Sequence, residues 1–126
     1  MLINKIKYIA SLFRNYSNWI NIVYCRVFRI PIKKVILRDG PVIVGGDESL
    51  VIDIVDEVFI RKVYNPSYLS IKPNDVVVDI GANIGVFSAY SALNGAKKIF
   101  SIDPLEENLE FITKNFLTNK LDLPVL

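Results

Sequence analysis

The stretch that decides the fold is Asp75-Val76-Val77-Val78-Asp79-Ile80-Gly81-Ala82-Asn83-Ile84-Gly85. Its first half is a continuous apolar run typical of a strand that is buried on both faces in a parallel sheet. Residues 81–85 predict a turn and residues 86–94 a helix, with Gly95 where a helix commonly ends in the left-handed conformation. Residues 98–102 predict a second strand. This succession predicts an α/β fold with a parallel sheet.

Acidic residues follow or close both predicted strands. Asp79 lies just before the glycines, and Asp103 comes 22 residues after Gly81. The glycines lack the G-x-G spacing of dinucleotide sites and the P-loop lysine is absent, so pyrophosphate binding is disfavoured. Asp79 would repel phosphate but suits a ligand that carries an ammonium and a sulfonium. A carboxylate at Asp103 can accept both hydroxyls of an adenosine ribose, while the helix after the glycines offers unpaired N–H groups.

A further helix is predicted after the second strand. Pro104 is expected in its first turn, with Glu106 and Glu107 near the positive helix end. Asp103 could also cap this helix. The apolar spacing predicts a buried face made of Leu105, Leu109, Ile112 and Phe116. Asn115 and Asn119 are expected at the helix end rather than at a ligand, and residues 121–126 predict the beginning of a third strand.

Residues 77–88, residues 95–104 and the pair Asn115 and Asn119 resemble the start of the FkbM family of S-adenosylmethionine-dependent methyltransferases. The resemblance implies the front half of a class I methyltransferase, that is, a Rossmann-like parallel sheet preceded by an N-terminal helix and a short antiparallel strand segment. It also implies S-adenosyl-L-methionine as cofactor and O-methylation of a sugar or glycan hydroxyl. The cofactor-binding residues so implied are Asp79, Gly81, Ala82, Asn83, Gly85 and Asp103, the last for the ribose. Family members more often have Glu at this last position.

Family members continue through further strands toward the acceptor site, which leaves a second hypothesis open. The chain would then be a non-catalytic binding or assembly half that needs a complementing chain. An exposed apolar sheet edge is expected in that case.

Composition excludes several kinds of catalysis. The chain has 126 residues, 52% of them hydrophobic, which suits one packed core with a short appendage. It has no histidine, so imidazole bases, Ser-His-Asp triads and His-based zinc sites are excluded, and no metal site is predicted. A base for a hydroxyl acceptor must be a carboxylate, Lys or Tyr, or lie outside these residues, and no catalytic residue is assigned. The single cysteine, Cys25, is expected as a small buried hydrophobe.

Charge is distributed unevenly along the chain. Residues 1–38 contain eight basic and no acidic side chains, whereas the remainder carries seven basic and thirteen acidic ones, a net charge of −6. Apolar spacing over 1–30 predicts one amphipathic helix, or two with a break near 15–18. This segment could pack on the domain with its basic groups in water, lie on an anionic membrane, or bind nucleic acid. The −6 remainder disfavours nucleic acid.

The segmentation predicted from sequence has three parts: a basic amphipathic helical segment (1–30), a lead-in (31–70) and a partial Rossmann-like S-adenosylmethionine-binding domain (71–126). The lead-in predicts strands at 35–37 and 42–44 around an Asp39-Gly40 turn, a strand at 50–52, and a helix from about Asp53 to Tyr64. The longest uncharged stretch, 15–25, is shorter than the roughly 20 residues of a membrane span, and no export signal is visible. A cytoplasmic protein is expected, with peripheral membrane contact as an addition.

Overall fold

The computed structural model describes residues 2–47, 50–67 and 70–126, with side chains from residue 5 onward. The chain divides into two compact units, Met1–Ile52 and Asp53–Leu126. No helix within the described ranges is long and apolar enough to cross a membrane.

The first unit contains two helices and a hairpin. These elements are α1 (Leu2–Asn15), α2 (Trp19–Phe28), β1 (Lys34–Ile36) and β2 (Val42–Val44). The two strands pair antiparallel with Val35 opposite Ile43, which confirms the predicted hairpin. The predicted break between two helices is also confirmed. It arises because Asn18 donates to the Lys34 carbonyl at 3.0 Å and accepts the Ile36 N–H at 2.9 Å, which ties the break to β1.

Fewer apolar residues of the two helices are buried in the core of the first unit than their helical spacing predicts. Leu12, Tyr16 and Ile22 are buried, as is the predicted Cys25. In contrast, several residues whose spacing of three and four predicts one helix face over 1–30 are exposed: Ile6, Ile9, Phe13, Ile20 and Val27. The apolar spacing over 1–30 therefore does not correspond to one continuous buried face.

A helix replaces the strand predicted at 50–52. It forms α3 (Val51–Val55) and continues as a π-helical segment over Asp56–Ile60, so it begins earlier and ends earlier than predicted. Helical spacing explains the difference, because Val51, Ile52, Val55 and Val58 are all buried. The helix stops where Lys62 takes the left-handed conformation, with φ of 50°.

The second unit carries the predicted α/β arrangement. It consists of β3 (Val76–Ile80), α4 (Val86–Leu93), β4 (Lys98–Ile102) and α5 (Glu106–Thr118). The strands β3 and β4 pair in parallel, with Asp79 opposite Ser101. Of the predicted third strand, a single parallel bridge between Val125 and Phe100 forms on the far side of β4. This small parallel sheet with helices is compatible with a Rossmann-like fold.

The expectation that β3 is buried on both faces is wrong. Burial alternates along the strand, and Val76, Val78 and Ile80 are 61%, 54% and 80% exposed. The opposite face is covered by α4, whose Ser88 contacts Asp79. In the described ranges β3 pairs with β4 alone, so the predicted exposed apolar edge is present.

The helix α5 begins later than predicted. Pro104 precedes it, and Leu105 at its N-cap is extended and 60% exposed rather than part of the buried face. The expectation that Asp103 caps the helix is wrong, because the N-cap is Leu105 and no side chain caps α5. The side chain of Asp103 instead accepts the N–H of Leu105 at 3.0 Å, just before the helix begins. Ile112 and Phe116 are fully buried as predicted.

Candidate functional site

The two predicted carboxylates lie at the same edge of the parallel sheet. Asp79 is the penultimate residue of β3, and Asp103 directly follows β4. Because Ile80 is opposite Ile102 in register, the carboxyl ends of the two strands are adjacent. Burial is the main cause that raises the pKa of Asp79, and the nearby negative charge of Asp103 raises it further.

Asp79 is held by a chain of hydroxyl groups. Ser88 Oγ donates to Asp79 Oδ2 at 2.6 Å, and Ser88 Oγ lies 2.7 Å from Ser101 Oγ. Both serines are fully buried. Burial raises the pKa of Asp79 above its ordinary value, and hydrogen bonds from the side chain and backbone of Ser88 offset this only in part. Burial therefore disfavours the ionised form of Asp79, and a cation close to the carboxylate would favour that form.

Asp103 has the opposite electrostatic character. Its Oδ2 accepts the Asn83 N–H at 2.8 Å, and its Oδ1 accepts the Asn108 amide at 2.8 Å as well as the Leu105 N–H. Slight desolvation raises the pKa of Asp103, but these three hydrogen bonds together outweigh it, so the pKa lies below its ordinary value. Since a carboxylate has about four acceptor positions, roughly one remains for a ligand hydroxyl while these bonds persist.

The two glycines of the loop have different surroundings. Gly81 and Gly85 are both left-handed, with φ of 74° and 78°. A Cβ at Gly81 would meet no atom within 4 Å, so open space adjoins its backbone. A Cβ at Gly85 would lie 2.9 Å from Ile112 Cγ1, so this glycine permits close packing against α5.

The loop uses its own N–H groups instead of offering them to a ligand. Gly81 and Ala82 both donate to the Ile102 carbonyl, at 2.8 and 3.0 Å, and Asn83 donates to Asp103. Ala82 is buried, whereas Asn83 is half-buried with a positive φ of 49°. The N–H groups of residues 81–83 are therefore not available to a ligand, because they tie the loop to the end of β4. The unpaired N–H groups expected at the start of the following helix, α4, stay a prediction.

Three supporting polar residues were missed by the sequence interpretation: Ser88, Ser101 and Asn108. Asn115, which was expected at a helix end, instead lies inside α5 and is fully buried. Its amide donates to the Ile84 carbonyl at 2.8 Å and so fixes the glycine loop to α5. Asn119 is the C-cap residue of α5, as expected. For Asn115 the available signal was its place between Ile112 and Phe116, two residues of the predicted buried face.

Neither carboxylate is paired with a basic side chain in the part of the chain that the structure describes. Ion pairs in that part include Lys33 with Asp47 and Arg61 with Glu57, and neither involves Asp79 or Asp103. Within the same part, no group of three side chains could hold a metal ion. Two adjacent carboxylates beside open space favour an organic cation over an anion.

Comparison with known proteins gives two short similarities. Over 56 residues the chain is 45% identical to the tRNA (guanine(37)-N(1))-methyltransferase Trm5b of Methanocaldococcus jannaschii, which is 42% of this chain and 16% of that protein. Over 53 residues it is 36% identical to the AMB antimetabolite synthetase AmbE of Pseudomonas aeruginosa, which is 41% of this chain and 2% of that protein. No family model and no solved structure matches. A distant methyltransferase-like relationship is supported, and membership of the FkbM family stays a prediction.

Proposed function

We propose that the chain binds S-adenosylmethionine at the carboxyl edge of β3 and β4 and serves O-methylation of a sugar or glycan hydroxyl. The observation that carries the proposal is the pair Asp79 and Asp103, without a basic partner in the described ranges, beside the open backbone of Gly81. The similarity to a methyltransferase supports the reaction class. The acceptor class rests on the resemblance to the FkbM family.

The residues present fit this cofactor. S-adenosylmethionine is cationic at its sulfonium and ammonium groups and, when bound, supplies an electrophilic methyl carbon. The carboxylates provide negative potential, and the space beside Gly81 allows close approach to the backbone. Cofactors that carry a pyrophosphate fit less well, because the N–H groups of Gly81, Ala82 and Asn83 are already used.

Each side chain has a distinct part in holding the ligand. Asp79, fixed by Ser88, would face the cationic end, and a cation there would favour its ionised form. Asp103 has roughly one acceptor position left for a ribose hydroxyl. Methyl transfer depends chiefly on proximity and orientation, which a rigidly tied loop provides. No residue is assigned as the base that would deprotonate the acceptor hydroxyl.

Calorimetry with the demethylated product tests the cofactor assignment. S-adenosylhomocysteine should bind more tightly than NAD or ATP. Asp103→Ala should weaken that binding by about 1.5–3 kcal/mol, on the order of ten- to a hundredfold, whereas Asp122→Ala at an exposed position should not. Circular dichroism would establish that both variants are folded. Tighter binding of NAD, or full binding by a folded Asp103→Ala, would refute the assignment.

The exposed face of β3 favours a second candidate function, a binding half that requires a complementing chain for turnover. Val76, Val78 and Ile80 present an uncovered apolar row on a strand with one partner in the described part of the chain. The purified chain should then bind cofactor without transferring radiolabelled methyl to a pool of glycan or small hydroxyl acceptors. Transfer well above that of a Gly81→Val variant would exclude this second candidate.

A further inference from the structure

We infer that the first unit docks on an anionic lipid surface through an exposed apolar stripe of α1. This stripe consists of Ile6, Ile9 and Phe13, and we call it the α1 stripe. The inference concerns a different unit from the proposed cofactor site and does not depend on it. Spacing of three and four residues places the stripe on one side of the helix.

The α1 stripe is not the core face of its helix. Its three side chains are 57%, 42% and 57% exposed. Leu12 and Tyr16, four residues apart on a neighbouring side, are 1% exposed and supply the core contact instead. The helix thus contacts the core through Leu12, and Tyr16 follows just after its end, whereas the α1 stripe lies in water. An exposed contiguous apolar face of this kind marks an interaction surface.

The stripe borders a shallow depression with a wholly apolar lining. The depression has a volume of about 340 Å³ and is lined by Ile6, Ile9, Ala10, Phe13 and Trp19. The Trp19 ring meets the Phe13 ring edge to face at 5.6 Å between centroids. A lining without polar groups offers nothing to orient a specific polar ligand, but it accommodates acyl chains and the aromatic rings that settle at lipid headgroups.

The positive charge of the first unit favours an anionic lipid surface as the partner of the α1 stripe. Residues 1–52 contain eight basic and three acidic side chains, and all the acidic ones follow residue 38. The guanidinium of Arg38 stands 5.0 Å from the Phe13 ring centroid, directly beside the stripe. Lys7 and Arg14, seven residues apart, share a side of α1 near Ala10 and are exposed. Basic groups flanking an apolar stripe are typical of a helix that lies in the plane of an anionic interface.

Nucleic acid fits this surface less well than lipid does. Phosphate contacts require basic side chains but make no use of an apolar stripe. The helix α2 also presents exposed apolar side chains at helical spacing, namely Ile20, Tyr24 and Val27. Burying apolar surface in the headgroup region suits exposed apolar side chains of this kind, whereas phosphate contacts do not.

The test uses the full chain and its single tryptophan, Trp19, which is part of the depression. The chain would be titrated with vesicles of phosphatidylcholine, or of phosphatidylcholine mixed with phosphatidylglycerol, at low and high salt. Tryptophan emission and co-sedimentation would be measured together. We expect a blue shift and sedimentation with the anionic vesicles, both weakened by salt.

Matched variants separate the apolar and the charge contributions. Ile6→Ser with Ile9→Ser should weaken vesicle binding about tenfold or more. Tyr8→Ser, an exposed apolar residue on another side of α1, should not. Lys7→Glu with Arg14→Glu should also weaken binding by about tenfold or more. Lys97→Glu with Lys114→Glu makes the same change of net charge in the second unit and should leave binding unchanged.

Several outcomes would overturn the inference. Equal binding to neutral and anionic vesicles, or binding to neither, would contradict it. So would binding that survives the Ile6→Ser, Ile9→Ser change in a folded variant. Binding of single-stranded RNA without vesicle binding would assign the basic segment to nucleic acid. Concentration-dependent dimerisation of the chain that the same change abolishes, without vesicle binding, would assign the α1 stripe to a second copy.

Discussion

The ionised carboxylate of Asp79 destabilises the fold because it is buried. Its pKa is raised from the ordinary value of 3.8 by burial, which means that ionisation costs folding free energy. Protonated Asp79 therefore stabilises the fold relative to ionised Asp79. This contribution to the free energy of unfolding is fully present below pH 3.8 and is lost as the pH rises through the pKa of Asp79 in the folded chain. A buried acid kept at such a cost is typical of a functional site.

Replacing Asp79 by Asn should therefore stabilise the fold at neutral pH. The amide oxygen can still accept the Ser88 hydroxyl, while the buried charge is removed. The gain in urea midpoint should be largest at pH 7 and vanish at a pH below 3.8, where wild-type Asp79 is protonated as well. Binding of S-adenosylhomocysteine should decrease at the same time.

Asp122→Asn is the matched control, because it removes an exposed acidic charge from the same unit. It should change neither the pH dependence of the urea midpoint nor ligand binding. Destabilisation of Asp79→Asn at neutral pH would show that the charge of Asp79 stabilises the fold instead.

The two loop glycines should respond differently to alanine. Gly81→Ala should cost about 1–2 kcal/mol of stability, which is the strain of a left-handed non-glycine residue. Gly85→Ala should cost a further 1–3 kcal/mol or so, because its Cβ would approach Ile112 too closely. Urea unfolding would measure the difference. Only Gly81→Ala places its methyl in the open space of the proposed site, so a folded Gly81→Ala chain should lose ligand binding.

At the scale of elements, α5 holds the glycine loop as well as covering the core. Asn115 reaches from the middle of this helix to the Ile84 carbonyl, and Asp103 at its start binds the Asn83 N–H. The loop is thus fixed from both sides before any ligand binds. Such preorganisation reduces the cost of binding.

Asn115→Ala should destabilise the second unit by about 1–3 kcal/mol, because it leaves a buried carbonyl at Ile84 without its donor. It should also weaken ligand binding, since the loop would lose its tie to α5. Hydrogen exchange at residues 81–85 should speed up in the variant. Thr118→Ala, at an exposed position near the end of the same helix, is the control. Unchanged exchange in the loop would contradict this role.

At the scale of the whole molecule, the apolar face of the sheet governs association. The exposed row consists of Val76, Val78 and Ile80, on a strand that pairs with β4 alone among the described residues. Val76→Thr with Val78→Thr should therefore reduce self-association in analytical ultracentrifugation at nearly constant stability. Leu117→Gln, which removes an equally exposed apolar side chain from α5, should have a smaller effect. Association that Leu117→Gln lowers as much would show that no particular face is responsible.

The sequence was sufficient for the order of the elements in the second unit and for the two acidic residues of the site. Strand, turn and helix patterns over 75–103 depend on neighbouring residues, and the structure agrees with them. Asp79 and Asp103 could be paired in advance because adjacent parallel strands end at the same edge. Over residues 1–30 the apolar spacing left one helix, or two with a break near 15–18, as alternatives, and the structure has the break.

The other features of the fold and the site depend on contacts between residues that are far apart in the sequence. An apolar β-branched run has the same pattern whether one face of the strand or both are covered, so the exposure of β3 could not be read from it. At residues 51–55 short apolar runs fit either a helix or a strand, and burial of one helical side settled the choice. The links from Ser88 to Ser101 and from Asn115 to Ile84 join residues 13 and 31 positions apart. Local propensity carries no information about such pairs, because their free energy comes from desolvated partners that only the folded chain brings together.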